Sequence, residues 1–301
     1  MTPPFITYST FHRLGLNVRN LNALLLNTTD DFELHIIDSN SQDGTWDFIK
    51  SLSDSRIKSI TRLPMNYGPI YALNYNLARR KPDQYFIVLE SDVYHYVPDW
   101  ISRFMKVFDM FPDVGLLGLA RSHPYPVYYP EVSLQEKNGV QYLQLMHTEV
   151  GNVMDFVPGQ CQFLRPELID LIGYWSEENG YGDAELSLRV TKYTPFKAGY
   201  VIDVPIDMIQ SVPCESCEGR PWCQLDKVNT TCFNIWKSKH RNESFVLTNG
   251  TRKYLECFDE LRQGKRTVYC ASIHDPDSYK NHLYHMDWAL ENFDYYANNS
   301  N

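Results

Sequence analysis

The chain has 301 residues, of which 43% are hydrophobic and 22% charged, and this composition excludes a disordered or fibrous protein. Its formal net charge of −9 excludes a general attraction to nucleic acid or anionic lipid, so a phosphate-bearing ligand must be held locally, by a metal or by directed backbone groups. The sequence contains no apolar run of the roughly 18 residues that a membrane span needs, and its first residues lack the pattern of an export signal. We therefore expect a cytoplasmic protein without a transmembrane segment.

Short β-rich runs alternate with helical patterns over the first two hundred residues. The predicted strands cover residues 5–9, 33–37, 56–62, 84–89 and 114–119, and the predicted helices lie around residues 21–25, 71–77, 101–108, 166–172 and 184–190. This alternation is typical of βαβ units and predicts an α/β fold with a mostly parallel central sheet and flanking helices. It stops near residue 210, so we divide the chain into an α/β domain of residues 1–210 and a C-terminal region of residues 211–301.

Polar side chains follow several of the predicted strands, at the sheet edge where open α/β sheets bind their ligands. Ser9 follows the first strand, Asp38 the second, and Glu90 and Asp92 the fourth. Two carboxylates spaced i, i+2 at a strand end can face one side and share a hard cation such as Mg²⁺ or Mn²⁺. The alternative is a polar exit from the strand into a turn, which acidic residues also favour.

Two further segments suggest a base and a nucleoside site. Asp183 stands where a helix is predicted to begin, so it is either an N-cap or a general base that takes a proton from an acceptor hydroxyl. Phe11 follows the first strand, and an aromatic face can stack on a nucleobase while the Asp38 carboxylate contacts the edge of the base. The alternatives are a core position for Phe11 and a turn with a helix cap at residues 38–45.

Five segments, in this order, resemble the family-two glycosyltransferases with the GT-A fold, a Rossmann-like nucleotide-sugar fold. They are FELHIIDSNSQDGT at residues 32–45, NYGPIYALN at 66–74, LESD at 89–92, GQCQFLR at 159–165 and GDAEL at 182–186. The resemblance covers roughly residues 1–205, and its strength is the joint order of motifs that are individually weak. The sequence differs from the usual family pattern at Glu90, where most members carry an aspartate, and at Phe11, where many carry a tyrosine.

The resemblance implies a role for each candidate residue. Asp92 would hold the metal, Glu90 the ribose or a metal-bound water, and Asp183 would be the base of an inverting displacement. The nucleotide would be bound by a set of residues from the strand ends and the Asn-x-Gly helix start, namely Ser9, Phe11, Asp38, Asn66, Gly68 and Glu90. The implied substrates are a UDP, GDP or dTDP sugar and a glycan, lipid-linked or protein acceptor, as in glycan biosynthesis.

Four cysteines lie close together in the C-terminal region, at Cys214, Cys217, Cys223 and Cys232. Four thiolates in a short segment with few apolar residues predict a structural Zn²⁺ site, which would organise the segment. An iron–sulfur cluster has the same ligand count, and independent reduced thiols are the third possibility.

Two other functions remain open from the sequence. A sugar nucleotidyltransferase could use a related α/β fold, but no glycine-rich, basic phosphate-binding loop lies near the N-terminus. A catalytically inactive, carbohydrate-binding relative would keep the fold and lose turnover. Loss of donor turnover on substitution of Asp92 or Asp183 distinguishes an enzyme from such a binding protein.

Overall fold

A computed structural model describes residues 2–66, 69–120, 131–146, 156–173, 175, 182–205, 207–208 and 214–222. Its strands are β1 Phe5–Thr10, β2 Glu33–Asp38, β3 Ile57–Arg62, β4 Phe86–Glu90, β5 Val93–Tyr94, β6 Val114–Leu119, β7 Val132–Lys137, β8 Val140–Leu145, β9 Cys161–Leu164, β10 Lys197–Val201 and β11 Asp207–Met208. Its helices are α1 Leu14–Asn27, α2 Thr45–Ser51, α3 Pro69–Leu77, α4 Trp100–Met110, α5 Pro166–Ile172 and α6 Gly182–Tyr193. Two 3₁₀ turns follow, at Cys214–Ser216 and Arg220–Trp222.

Nine of the described strands form one sheet in the order β3-β2-β1-β4-β9-β6-β10-β8-β7. The half from β3 to β4 is parallel, and β10 is parallel to β6. Strand β9 is antiparallel to both of its neighbours, β4 and β6, and the β7–β8 hairpin joins β10 in antiparallel orientation. The predicted α/β fold class is confirmed, with a mixed sheet in which the parallel half contains the N-terminal predicted strands.

Strand β4 shows why the sheet is covered on both faces. Ile87 and Leu89 belong to one apolar cluster with residues of α1 and α4, while Phe86 and Val88 belong to a second cluster with residues of α5 and α6. Successive side chains of a strand point to opposite faces, so four consecutive buried apolar residues require helices on both sides. Burial on both faces fixes the register of β4 and therefore the position of Glu90, the next residue.

Buried amides connect α3 to the rest of the molecule. The side chain of Asn74 donates to the carbonyl of Trp175 and accepts from its N–H, both at 2.9 Å. The side-chain amide of Asn76 donates to the hydroxyl of Thr7 in β1 at 2.8 Å. These bonds satisfy polar groups that burial would otherwise leave without water, and they hold α3 against the sheet.

The strand ends differ slightly from the predicted ones. Strands β1, β2 and β4 each continue one residue beyond the predicted end, so Asp38 and Glu90 are the last residues of their strands. Strand β4 begins at Phe86, after a turn in which the backbone N–H of Gln84 donates to the Lys81 carbonyl at 3.1 Å. None of the helices in the described ranges has the length and apolarity that crossing a membrane requires.

Candidate active site

Three neighbouring parallel strands end together at one edge of the sheet. Ser9 of β1 lies opposite Glu90 of β4 and Ile37 of β2, and Thr10 lies opposite Asp38. The predicted strand-end residues therefore share one edge, as parallel strands require. This edge is the floor of the candidate site.

The acidic pair consists of Glu90 at the end of β4 and Asp92 two residues later, and hydrogen bonds to the backbone hold this segment in place. The N–H of Glu90 donates to the Gln160 carbonyl at 3.0 Å, and the amide of Asn20 in α1 donates to the Ser91 carbonyl at 2.7 Å. Within the described residues, Oδ1 of Asp92 is buried and has no hydrogen-bond partner. A buried carboxylate oxygen without a donor is an unusual cost to stability, and it points to a ligand that the described chain does not supply.

The carboxylates of the pair have raised pKa values, as expected where negative charges are close together without a bound cation. Glu90 retains solvent contact at the end of β4, but protein surrounds it on its other sides, and this loss of hydration raises its pKa. The negative charges of Asp92 and Asp183 raise the pKa of Glu90 further, while the Arg13 charge opposes them. Burial also raises the pKa of Asp92, again against the effect of Arg13. Mutual repulsion of this kind is relieved when a cation binds.

Asp183 reaches the same place from the other side of the sheet edge. It is the second residue of α6, and its Oδ2 accepts a hydrogen bond from the Gly159 N–H at 3.1 Å. A Cβ at Gly159 would lie 3.3 Å from Oε1 of Glu90 and 3.7 Å from Oδ2 of Asp183. The two carboxylates therefore flank Gly159, and the absence of a side chain there lets both approach.

The donor set suits a hard divalent cation. Its oxygens are carboxylates, the ligands that Mg²⁺ and Mn²⁺ prefer, and Asp92 has an unsatisfied buried oxygen. Within the described part of the chain, no group of three or more His, Cys, Asp or Glu side chains forms a complete metal cage. A site of one or two carboxylates completed by substrate phosphates fits both observations.

The predicted nucleotide residues differ in what they can offer. Phe11 is 42% exposed and presents an aromatic face on which a planar ligand can stack. Oγ of Ser9 is buried and finds no partner among the described residues. Asp38 is fully buried and already engaged, because Oδ1 accepts from the Thr10 hydroxyl at 3.1 Å and Oδ2 from the Ser41 N–H at 3.0 Å. Asp38 thus fixes the loops around the site.

Several predicted residues lie at or beyond the limits of the described chain. Asn66 is exposed in the loop before α3, and Gly68 lies outside the described residues. Cys217 is a partly buried free cysteine, Cys214 begins a 3₁₀ turn, and Cys223 and Cys232 lie outside the described residues. The zinc site therefore stays a prediction.

Two groups in the site were not predicted from the sequence. The Gly159 N–H holds Asp183, and the glycine motif at residues 159–165 does not by itself indicate that contact. Arg13 is an exposed cation whose charge acts on both Glu90 and Asp92. A lone arginine after a predicted strand gives no such signal, because its effect depends on the loop that brings it to the acidic pair.

Comparison with known proteins identifies the family. The family model described as "Glycosyl transferase family 2" matches residues 8–171, which is more than half of the chain. No curated protein sequence matches the chain significantly.

Solved structures share the fold at low sequence identity. The mannosyltransferase PcManGT from Pyrobaculum calidifontis, in complex with GDP-Man and Mn²⁺, matches with a TM-score of 0.56 and 13% identity over 97% of this chain and 73% of its own. TarS 1-349 from S. aureus, in complex with UDP-GlcNAc, matches with a TM-score of 0.52 and 14% identity over 83% of this chain and 75% of its own. A longer TarS structure matches over 45% of its length.

Proposed function

The chain belongs to glycosyl transferase family 2, and on that premise we propose that it moves a sugar from a nucleoside-diphosphate sugar to an acceptor hydroxyl, with a divalent cation and with inversion at the anomeric carbon. The observation that carries this proposal is that Glu90 and Asp183 meet at Gly159, at the carboxyl end of the parallel strands, with Asp92 two residues after Glu90. Such a site offers both a cation position and a base.

Asp92 and Glu90 are the residues that would hold Mn²⁺ or Mg²⁺. The buried Oδ1 of Asp92 is the natural ligand atom, and Glu90 completes the pair or contacts the ribose or a metal-bound water. When bound, the cation neutralises the charge that develops on the departing diphosphate. The Mn²⁺ in the PcManGT complex supports this assignment by analogy of fold.

Asp183 is the proposed base. The Gly159 N–H fixes its carboxylate beside the acidic pair, where it can accept the proton of the acceptor hydroxyl. The acceptor oxygen then forms its bond to the anomeric carbon on the face opposite the diphosphate, and the bond from that carbon to the diphosphate oxygen breaks. A single displacement of this kind inverts the configuration, and the proton ends on Asp183.

The donor nucleotide would lie along the ends of β1 and β2. Phe11 offers an aromatic face for the base, Ser9 an unsatisfied hydroxyl, and Asp38 holds the surrounding loops in place. Asn66 and Gly68 remain predicted contacts. UDP, GDP and dTDP sugars stay the candidate donors, since the structural neighbours bind GDP-Man and UDP-GlcNAc, and the acceptor is proposed to be a glycan, lipid-linked or protein hydroxyl.

Donor turnover tests this proposal directly. The purified chain is incubated with a panel of UDP, GDP and dTDP sugars and Mn²⁺, with water or an added glycan as the acceptor. ¹H NMR follows release of the nucleoside diphosphate and the anomer of the sugar product in the first minutes. We expect one donor to be consumed with inversion and Asp183→Asn to slow the reaction by about 10²- to 10⁴-fold. Retention of configuration contradicts the mechanism. Donor binding without turnover in the presence of glycan acceptors identifies a carbohydrate-binding relative instead.

A structural Zn²⁺ at Cys214, Cys217, Cys223 and Cys232 is a separate proposal, based on their spacing. Elemental analysis of the purified protein should find one zinc per chain and no iron. A Cys217→Ser variant should lose that zinc, whereas a Cys161→Ser variant should keep it because Cys161 is buried in β9. A full zinc content in Cys217→Ser contradicts the assignment.

A further inference from the structure

The chain that follows β10 returns to the candidate site. Strand β11 pairs antiparallel with β5, with Asp207 opposite Tyr94 and Met208 opposite Val93, directly after Asp92. The segment of residues 214–222, here called the docking segment, then lies against the start of α1. The chain after β10 thus contacts two of the loops that form the site, through β11 and through the docking segment.

The loop from β1 to α1 has a strained backbone. His12 and Arg13 have φ values of 56° and 64°, in the left-handed region that ordinary residues rarely adopt. Arg13 occupies the N-cap position of α1, where its side chain forms no capping hydrogen bond within the described structure. Such a conformation persists only when neighbouring groups hold it.

Two carboxylates from distant parts of the chain hold the first turn of α1. Oδ2 of Asp43, from the loop after β2, accepts from the Leu14 N–H at 3.1 Å. Oε2 of Glu218, from the docking segment, accepts from the Gly15 N–H at 2.7 Å. A helix start presents unpaired N–H groups and partial positive charge, so both carboxylates act as substitutes for the missing cap.

Gly15 is fitted to this contact. A Cβ at Gly15 would lie 2.5 Å from Oε1 and 3.1 Å from Cδ of Glu218. Any larger residue would push the carboxylate away from the helix start. Arg13 lies at the same junction, because its Nε is 3.7 Å from the position of a Cβ at Gly219, while its charge also acts on Glu90 and Asp92.

We propose that Glu218 is a positioning residue of the donor site. By docking residues 214–222 on the start of α1, Glu218 holds the loop that carries Phe11 and Arg13, directly after the end of β1, where a nucleoside diphosphate would bind. The inference rests on the proposed function, because it assumes that the donor binds beside this loop. Glu218 acts through the loop and does not contact the reacting atoms. The docking segment is then part of the donor site.

A stability cycle tests the contact without any sugar. Gly15→Ala should change the thermal midpoint less favourably in the otherwise unchanged chain than in a Glu218→Ala background, because the new methyl group displaces the Glu218 carboxylate only where that carboxylate is present. In a Glu218→Ala background the same change should leave the midpoint unchanged or raise it, since alanine favours a helix over glycine. An equal change of midpoint in both backgrounds overturns the proposal.

A kinetic comparison then tests the positioning role. With UDP-GlcNAc or GDP-mannose and Mn²⁺, Glu218→Ala should raise the donor KM about fivefold, the effect of one ordinary hydrogen bond, with little change in kcat. Glu218→Gln keeps an acceptor oxygen and should recover most of the loss, and Glu215→Ala, on the same segment, is the control. An unchanged KM in Glu218→Ala overturns the role. If the wild-type chain binds no donor, the proposed function fails, and the stability cycle alone decides whether Glu218 holds the loop.

Discussion

Replacing Asp183 by asparagine removes the proposed base and preserves its surroundings. In the wild-type chain the Gly159 N–H lies 3.1 Å from Oδ2 of Asp183, and the amide oxygen of an asparagine can accept the same bond. The hydroxyl of Ser187 still donates to the backbone carbonyl of residue 183. The ability to take a proton is lost. General base catalysis contributes about 10²- to 10⁴-fold, so kcat should fall by that factor, or about 3–5 kcal/mol in activation free energy.

The assay measures initial donor turnover at saturating donor and Mn²⁺, together with donor affinity by calorimetry. Donor affinity should not weaken, since loss of the Asp183 charge removes one of the causes that raise the pKa of Glu90. Asp170→Asn is the control, because Asp170 is an exposed carboxylate on α5 outside the site. A kcat within tenfold of wild type would refute the assignment of Asp183 as base.

Three further predictions concern pH and packing. Burial lowers the pKa of His95 to about 3, so below about pH 6.5 the unfolded chain binds a proton that the folded chain excludes. At pH 5 this difference lowers the free energy of unfolding by about 2 kcal/mol. His95→Phe should remove this loss, as measured by urea denaturation. Asn74→Ala leaves the backbone groups of Trp175 unpaired and should lower the free energy of unfolding by about 2–4 kcal/mol. Gly199→Ala places a Cβ 2.3 Å from the Leu143 carbonyl oxygen and should cost about 1–3 kcal/mol or more, measured as a lower thermal midpoint.

A different result would contradict each of these three predictions. The same stability difference between pH 7.5 and pH 5 in His95→Phe and wild type contradicts the titration argument. An unfolding free energy of Asn74→Ala close to that of wild type means that water replaces the lost amide. An unchanged midpoint in Gly199→Ala means that β8 and β10 separate without cost.

The parallel half of the sheet could be predicted because its signals are local. Strand β4 reads as four buried apolar residues followed by a carboxylate, and α4 repeats its buried residues at helical spacing. The predicted strand ends alone are therefore enough to place Asp38, Glu90 and Asp92 at one edge of the sheet. The confirmed fold class follows from the same pattern.

The antiparallel half could not be predicted for the opposite reason. Strand β9 has four residues, too few to show a period, and both of its partners, β4 and β6, are distant from it in the sequence. The hairpin β7–β8 has a weak alternation in which exposed and half-buried residues mix. The contact of Glu218 with Gly15 spans 203 residues, and no local pattern encodes such a pairing.

Metal-dependent nucleotide binding tests the central claim most directly. UDP and GDP are titrated into the wild-type chain by calorimetry, first with Mn²⁺ and then with EDTA. The same titrations are made with Asp92→Asn and with the control variant Asp47→Asn, whose carboxylate is exposed on α2. We predict that one nucleotide binds with Mn²⁺ to wild type and Asp47→Asn, and that EDTA or Asp92→Asn removes the binding. Equally tight binding in EDTA, or in Asp92→Asn, contradicts a cation held by the acidic pair at the end of β4.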